Sequence, residues 1–406
     1  GGYYLNIDRE VGVSLGADLG QGVTEQLYNA PGSSNPTSQL YNDQFDTNVY
    51  AVFGNVDYEI GALKLGAALR YDIEERDVTN LVPDVLDPIT GANINPGQAF
   101  GPIEPQSETF KQLQPKLSFN LEIADGQNVY GNWGIGFKSG GFNNQGASAT
   151  VNSAFNDFIG AGVTINDLYR KETSSAFELG IKGVAGPFTY DVAGYYTQID
   201  DMQFFEFFVG AFGLLRVVSN IDEVEVYGVE GNVSAEITEG WTLFASANVT
   251  GSEIKENASR PYTVGNQSPY TSDYTVNLGS QIDVPLGGTG LDMVMRADYR
   301  ITGPTWFHTV QDQVRPTLFS GLLPISALAL PAAVGDGDFR ITEREAFGVL
   351  DLRFGIEGEN WSAAVFAENA LDRRYINEAI PAIEFGGSFI SPGARRLVGA
   401  EVGLKF

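Results

Sequence analysis

A single histidine, His308, and no cysteine occur in a chain of 406 residues. Zinc-thiolate centres, cysteine nucleophiles and disulfides are therefore excluded, and a multi-histidine metal site or a His-dependent triad lacks its residues. No nucleophile elbow, phosphate-binding loop or paired-aspartate metal signature interrupts the sequence. The chain thus reads as a non-enzyme without a cofactor, and His308 as an ordinary loop residue. Two other sets of side chains have chemical capacity. Met202-Gln203-Phe204-Phe205-Glu206-Phe207-Phe208-Val209 is followed by Gly210-Ala211-Phe212-Gly213 and Leu214-Leu215-Arg216-Val217-Val218. Strand formers on both sides of turn material predict a hairpin, and an aromatic face of that size must be covered. Neighbouring loops, a ligand or a partner protein are its possible covers, which makes Phe204, Phe205, Phe207, Phe208 and Phe212 the candidate ligand or partner surface. The second set is mixed in sign: Lys64, Arg70, Asp72, Lys116, Glu122, Lys138, Glu178, Lys182, Asp292, Arg296, Asp298 and Arg300. These suit cross-strand pairs that hold a wall together.

The elements that carry these residues follow from the period of the chain. Leu63, Leu65, Ala67, Leu69, Tyr71 and Ile73 alternate with Lys64, Gly66, Ala68, Arg70 and Asp72. Leu113 to Ile123 and Leu291 to Ile301 repeat the pattern, so one face is apolar and the other polar. About fourteen such strands can be counted, among them Tyr3 to Leu19, Thr47 to Ile60, Ala62 to Glu75, Phe110 to Ile123, Phe188 to Ile199, Glu223 to Ile237, Leu291 to Thr302, Trp361 to Asn369 and Arg395 to Phe406. Tight turns such as Glu59-Ile60-Gly61, Asp125-Gly126-Gln127, Ala185-Gly186-Pro187 and Glu239-Gly240 alternate with long loops beginning near Gly20, Arg76, Ser139, Asp200, Lys255, Gly303 and Ala370. A soluble sandwich has no reason to sort its connections in this way, whereas a transmembrane barrel has short turns at one end and long loops at the other. Aromatics near strand ends, with Tyr58, Phe188, Trp241, Trp361 and Phe406 toward the turns and Tyr71, Phe137, Tyr274 and Tyr299 toward the loops, form the two girdles that a bilayer selects.

Composition agrees. Hydrophobic residues make up 43%, yet no apolar run reaches the roughly 20 residues of a helical span. Leu318 to Val334 falls short of one and reads as an ordered loop or lid. A net charge of -27 excludes nucleic acid held by a basic face. Gly1-Gly2-Tyr3-Tyr4-Leu5 reads as the middle of a strand and carries no targeting pattern, as expected where a signal has been removed or an N-terminal portion lies elsewhere.

The last strand carries Val398, Ala400, Val402, Leu404 and Phe406 on one face and stops on an aromatic. This is similar to the C-terminal assembly signal of outer-membrane barrels, in which Val402, Leu404 and Phe406 would be read by the barrel-assembly machinery. Asn369-Ala370-Leu371-Asp372-Arg373-Arg374-Tyr375 resembles the Asn-Leu-Phe-Asp-Lys-x-Tyr pattern of TonB-dependent receptors. Phe137-Lys138-Ser139-Gly140-Gly141-Phe142-Asn143 and the strand from Glu172 to Gly183 resemble further segments of that family. The resemblance implies a multi-pass β-barrel in the outer membrane of a Gram-negative bacterium. It also implies active transport, driven through TonB, of a scarce or large nutrient of the siderophore-iron, haem, cobalamin or carbohydrate class.

Family barrels have 22 strands closed by an N-terminal plug, so residues 1–406 are expected to be the C-terminal portion, about 14 strands, with the plug and its TonB contact lying elsewhere. A complete fourteen-stranded diffusion channel and a non-transporting surface scaffold are the alternatives. Expected partners are outer-membrane lipid, lipopolysaccharide, a small-molecule or metal-chelate ligand and a surface protein. Divalent cations held by Asp84, Asp87, Asp157, Asp167, Asp200 or Asp201 are one way for so acidic a chain to meet lipopolysaccharide phosphates.

Loop parity generates a topological prediction. Single cysteines replacing Asn144 or Ser326 react with an impermeant thiol reagent on intact cells, and cysteines replacing Gln127 or Gly240 do not. Labelling in the opposite sense inverts the orientation.

Overall fold

The computed structural model describes residues 1–14, 16–18, 24–26, 39–81, 103–210, 213–318, 335–338 and 342–405. Fourteen strands form one antiparallel sheet in chain order. They are β1 (Gly2–Ser14), β2 (Gln39–Ile60), β3 (Leu63–Asn80), β4 (Gln106–Ala124), β5 (Gln127–Lys138), β6 (Glu172–Ala185) and β7 (Phe188–Gly210). The remaining seven are β8 (Gly213–Thr238), β9 (Trp241–Glu256), β10 (Tyr274–Pro285), β11 (Asp292–Thr302), β12 (Phe347–Glu357), β13 (Trp361–Glu368) and β14 (Leu397–Leu404). All fourteen predicted strands are present. Their ends differ: β1 stops at Ser14 rather than Leu19, and β2, β3 and β4 run well past the predicted ends on the long-loop side.

Register aligns like with like. Leu63, Leu65, Ala67 and Tyr71 of β3 stand opposite Leu121, Phe119, Leu117 and Leu113 of β4, while Lys64, Gly66, Ala68 and Arg70 stand opposite Asn120, Ser118, Lys116 and Gln114. Because paired residues share a face, the apolar face of each strand extends that of its neighbour, and a slip by one residue would invert the strand. The apolar face is bare: Val402 is 75% exposed and Val56 70%. Residues of both expected girdles lie on it, with Tyr58, Phe188 and Trp361 exposed near the tight turns. These turns take two residues at Gly61-Ala62, Asp125-Gly126, Gly186-Pro187 and Glu239-Gly240; Glu59 and Ile60 still belong to β2. Gly126 at φ 68 and Gly240 at φ 77 supply the left-handed backbone that so short a reversal needs.

The polar face carries ion pairs of two kinds. Arg300–Asp351 at 3.2 Å and Lys138–Glu172 at 3.9 Å join adjacent strands, and Arg353 of β12 reaches over β13 to Glu401 of β14. Arg70–Asp72 and Arg296–Asp298, expected across strands, form within one strand instead. Residues i and i+2 share a face, and a guanidinium reaches along the strand as easily as across it.

Pro115 marks where the wall splits. The β4–β5 ladder ends at Lys116 opposite Gly134, since proline has no N–H to continue it. Above that point Lys171 reaches in, its Nζ donating to the Lys111 carbonyl at 2.8 Å and to Gln112 Oε1 at 2.8 Å. β1 pairs with β2 alone and β14 with β13 alone among the described residues, so the sheet has two free edges.

Buried apolar side chains gather at the long-loop end. The main cluster comprises Ala147, Val151, Phe155, Ala161, Val163, Ile165, Phe208, Leu215 and Val217.

The two faces predict opposite responses to charge. Leu117→Arg, on the apolar face opposite Ala67 and midway between the two girdles, impairs assembly by about 2–4 kcal/mol, and Ser118→Arg, beside it on the polar face, costs less. Folding titrations into lipid vesicles check this; equal damage contradicts the assignment of faces.

Candidate functional site

The hairpin predicted beyond the membrane exists: β7 and β8 stay paired from Met202 opposite Ile221 to Gly210 opposite Gly213. Its strand period splits the aromatic segment between two faces. Phe204, Glu206 and Phe208 are buried with Leu215, Val217, Ser219 and Ile221. Phe205 is 46% exposed, and the Arg216 guanidinium lies 3.8 Å above its ring. Phe207 is half-buried, and Phe212 lies outside the described residues. Among the described residues the candidate surface is therefore reduced to Phe205 and Phe207. Phe204 and Phe208 are loop core, because alternation sends every second side chain of a two-faced strand inward.

The buried face meets the other long loops. Phe208 packs on Phe155, ring centroids 5.7 Å apart, in the loop between β5 and β6. Phe204 meets His308 edge-on at 5.4 Å, in the loop between β11 and β12. Between these rings lies Glu206, only 2% exposed, and Arg260 from the loop after β9 reaches it. Arg260 Nη2 donates to Glu206 Oε2 at 2.6 Å and Nε to the same oxygen at 3.0 Å. Nη1 donates to Glu384 Oε1 at 2.7 Å and to the Tyr262 hydroxyl at 2.8 Å. Ser219 Oγ completes Glu206 at 3.0 Å. Arg260 and Glu384 are 1% and 3% exposed.

Burial opposes the charge of Glu206, yet Arg260 and the Ser219 hydroxyl hold its carboxyl below the ordinary value. Burial likewise opposes the charge of Arg260, and the two carboxylates more than offset it. His308 is pushed down to about 3 by burial, with Arg260 adding to the effect, and its Nδ1 accepts the Val310 N–H at 3.0 Å. The single histidine is thus a neutral core residue of the loops.

Three of the expected cation-holding aspartates, Asp167, Asp200 and Asp201, have partners within the protein. Asp201 and Asp222 hold Arg170, Asp167 accepts from the Ser148 N–H at 2.9 Å, and Asp200 accepts from Gln198 at 3.2 Å. Asp157 is exposed, whereas Asp84 and Asp87 lie outside the described residues, as do Ser326 and all of the 318–334 stretch except Leu318. Among the described residues no group of three or more His, Asp or Glu side chains is placed to hold a metal.

The Asn369 to Tyr375 motif is a clamp. Asn369, at φ 45, receives the Arg373 N–H on Oδ1 at 2.8 Å and donates through Nδ2 to the carbonyls of Arg373 and Ala394, each at 2.9 Å. Asp372 accepts two bonds from Arg395 and one from the Arg396 N–H, and these hold its carboxyl below the usual range. The motif fixes the start of β14, where Val402 and Leu404 point off the apolar face; Phe406 lies outside the described residues.

Residues 2–370 match the family model described as TonB dependent receptor-like, beta-barrel. The chain belongs to the TonB-dependent receptor β-barrel family. Membership places it in the outer membrane, crossed by strands, with the long loops outside the cell. Among curated relatives it is similar to the pesticin receptor of Yersinia enterocolitica, 24% identical over 265 residues, covering 65% of this chain and 32% of the relative. The pesticin receptor of Yersinia pestis is 23% identical over the same length. Among solved structures, the ferric yersiniabactin uptake receptor FyuA from Yersinia pestis superposes with a TM-score of 0.68 at 16% identity, over 100% of this chain and 50% of that one. The unliganded ferric citrate transporter FecA gives 0.62 at 15%, over 99% and 50%. The receptor chain therefore spans about half the length of these structures and about a third of the curated relatives. The two solved proteins are named for uptake of ferric yersiniabactin and transport of ferric citrate.

Sequence reasoning passed over Arg260, Glu384, Tyr262 and Ser219. Arg260 and Glu384 lie 124 residues apart, and neither stands in a pattern that distinguishes it from a solvated loop charge.

His308 makes the loop cluster sensitive to acid. Its pKa is lowered in the folded state, so the unfolded loops bind the extra proton between pH 6.5 and about 3. Stability conferred by the neutral ring is full above that window and falls as pH drops through it, by up to about 1.4 kcal/mol per pH unit. Proteolytic nicking of the loops against pH measures the slope. His308→Gln flattens it; an unchanged slope assigns the effect to another group.

Proposed function

We propose that this chain is the C-terminal part of the barrel wall of a receptor that imports a scarce nutrient across the outer membrane, energised through TonB. A second set of strands would complete the barrel between β1 and β14, and a plug would close the lumen. The single observation that carries the reading is the open sheet. Fourteen strands match half of a solved transport receptor over the whole of this chain, and among the described residues both edges are left free. Free backbone N–H and C=O groups have no partner in hydrocarbon, so these edges call for further strands.

The complete fourteen-stranded diffusion channel needs β1 to pair with β14, and the order of the sheet offers it no support. For cargo, the ferric-siderophore class is favoured over haem, cobalamin and carbohydrate by the relatives: FyuA is named for ferric yersiniabactin and FecA for ferric citrate. Capture falls to the loop cluster, where the exposed Phe205–Arg216 pair offers an aromatic plane and a cation that no carboxylate of the described residues neutralises. A surface protein could use the same pair, and the relatives named for pesticin lend that second reading its support.

Uptake of radioactive iron as ferric citrate and as ferric catecholates by cells carrying the full-length receptor tests the reading. Accumulation depends on TonB and collapses with a protonophore. Uptake that persists without energy supports a channel, and no uptake of any chelate removes the siderophore class.

A further inference from the structure

We propose that the extracellular loops after β7, β9, β11 and β13 open and close as one cap, latched by the guanidinium of Arg260. The geometry points to a single latch because one side chain touches the elements that must part. From the loop after β9, Arg260 holds Glu206 of the β7–β8 hairpin at 2.6 Å and Glu384 of the β13–β14 loop at 2.7 Å. The β11–β12 loop is carried along by the Leu318 N–H to the Glu384 carbonyl at 2.8 Å and by Asn266 Nδ2 to the Thr309 carbonyl at 2.7 Å. It also presents His308 to Phe204.

The latch is poised rather than locked. One guanidinium faces two carboxylates in a site where all three are at most 3% exposed, so the closed cap buries an excess negative charge. Neutral His308 does nothing to offset it. Two ionised groups on one buried partner are stable only while that partner is in place. Once Arg260 withdraws, Glu206 and Glu384 face each other across apolar surroundings, and each regains water only by moving outward. The hairpin bearing Glu206 and the loop bearing Glu384 are thereby released in the same step. A contact on one loop that displaces the guanidinium is felt by the others without a continuous chain of moving parts between them.

Hydrogen exchange of the full-length receptor in detergent tests the proposal, followed by mass spectrometry of peptides covering 203–220, 305–317 and 376–392, with 293–300 of the wall as reference. In the unmutated receptor the three loop segments share one opening constant; three different constants overturn the single cap. Arg260→Met raises exchange of all three together, by about tenfold or more, and leaves the wall unchanged. An increase confined to 257–273 overturns the latch. Arg260→Met combined with Glu206→Gln and Glu384→Gln removes the charges with the guanidinium and restores protection to within about threefold of the unmutated receptor. If the triple variant stays as open as the single one, lost packing rather than released charge holds the cap, and the proposal fails.

Discussion

Hydrocarbon offers no hydrogen-bond partner, so every backbone N–H and C=O inside a bilayer must be paired within the protein. The rest of this structure depends on that constraint. It dictates fourteen strands in unbroken sequence order, each bonded to its chain neighbour, and turns of two to six residues where the chain leaves the membrane on the short side. It also gives Pro115 its meaning: where a proline withholds its N–H the ladder to β5 stops, and Lys171 arrives to cover a released carbonyl. The same constraint makes the free edges of β1 and β14 the least self-sufficient places in the chain.

Outside the membrane the rule relaxes and the structure changes character. Water can satisfy loop backbones there, so compactness has to come from side chains. The loops supply it with an apolar cluster around Phe155 and Phe208 and with buried polar bonds around Arg260. Burial of this kind reverses the plan of the wall, whose apolar side chains face outward to lipid. Asp43 shows how far it goes: with no exposed surface, it ties the top of β2 to the β5–β6 loop through Asn144 and Gln145. Desolvation raises its pKa despite those bonds.

Between wall and loops the Asn369 clamp couples assembly to architecture. Its asparagine adopts a left-handed backbone that few side chains tolerate, and it answers three backbone groups that the turn leaves unpaired. The motif that carried the family resemblance is therefore a structural joint. It sets where β14 begins and hence the register in which Val402 and Leu404 meet lipid.

The sequence by itself determined the wall. A period of two is written in consecutive residues, as in Leu63 to Ile73, and turn glycines and loop lengths sit beside it, so strand count, facing and topology were legible without a partner in view. Strand ends were less so, because above the membrane a strand continues only when a neighbouring loop covers it. Tertiary structure alone decided the loop cluster. Phe204 and Phe205 are adjacent and identical in type, yet one is core and the other surface, according to which face Phe155, His308 and Arg260 approach. Arg260, Glu206 and Glu384 come from three loops, and no local pattern encodes a contact across 124 residues. Alternation is a short-range signal fixed by backbone geometry, whereas the meeting of distant charges exists only once the wall has brought its loops to the same end.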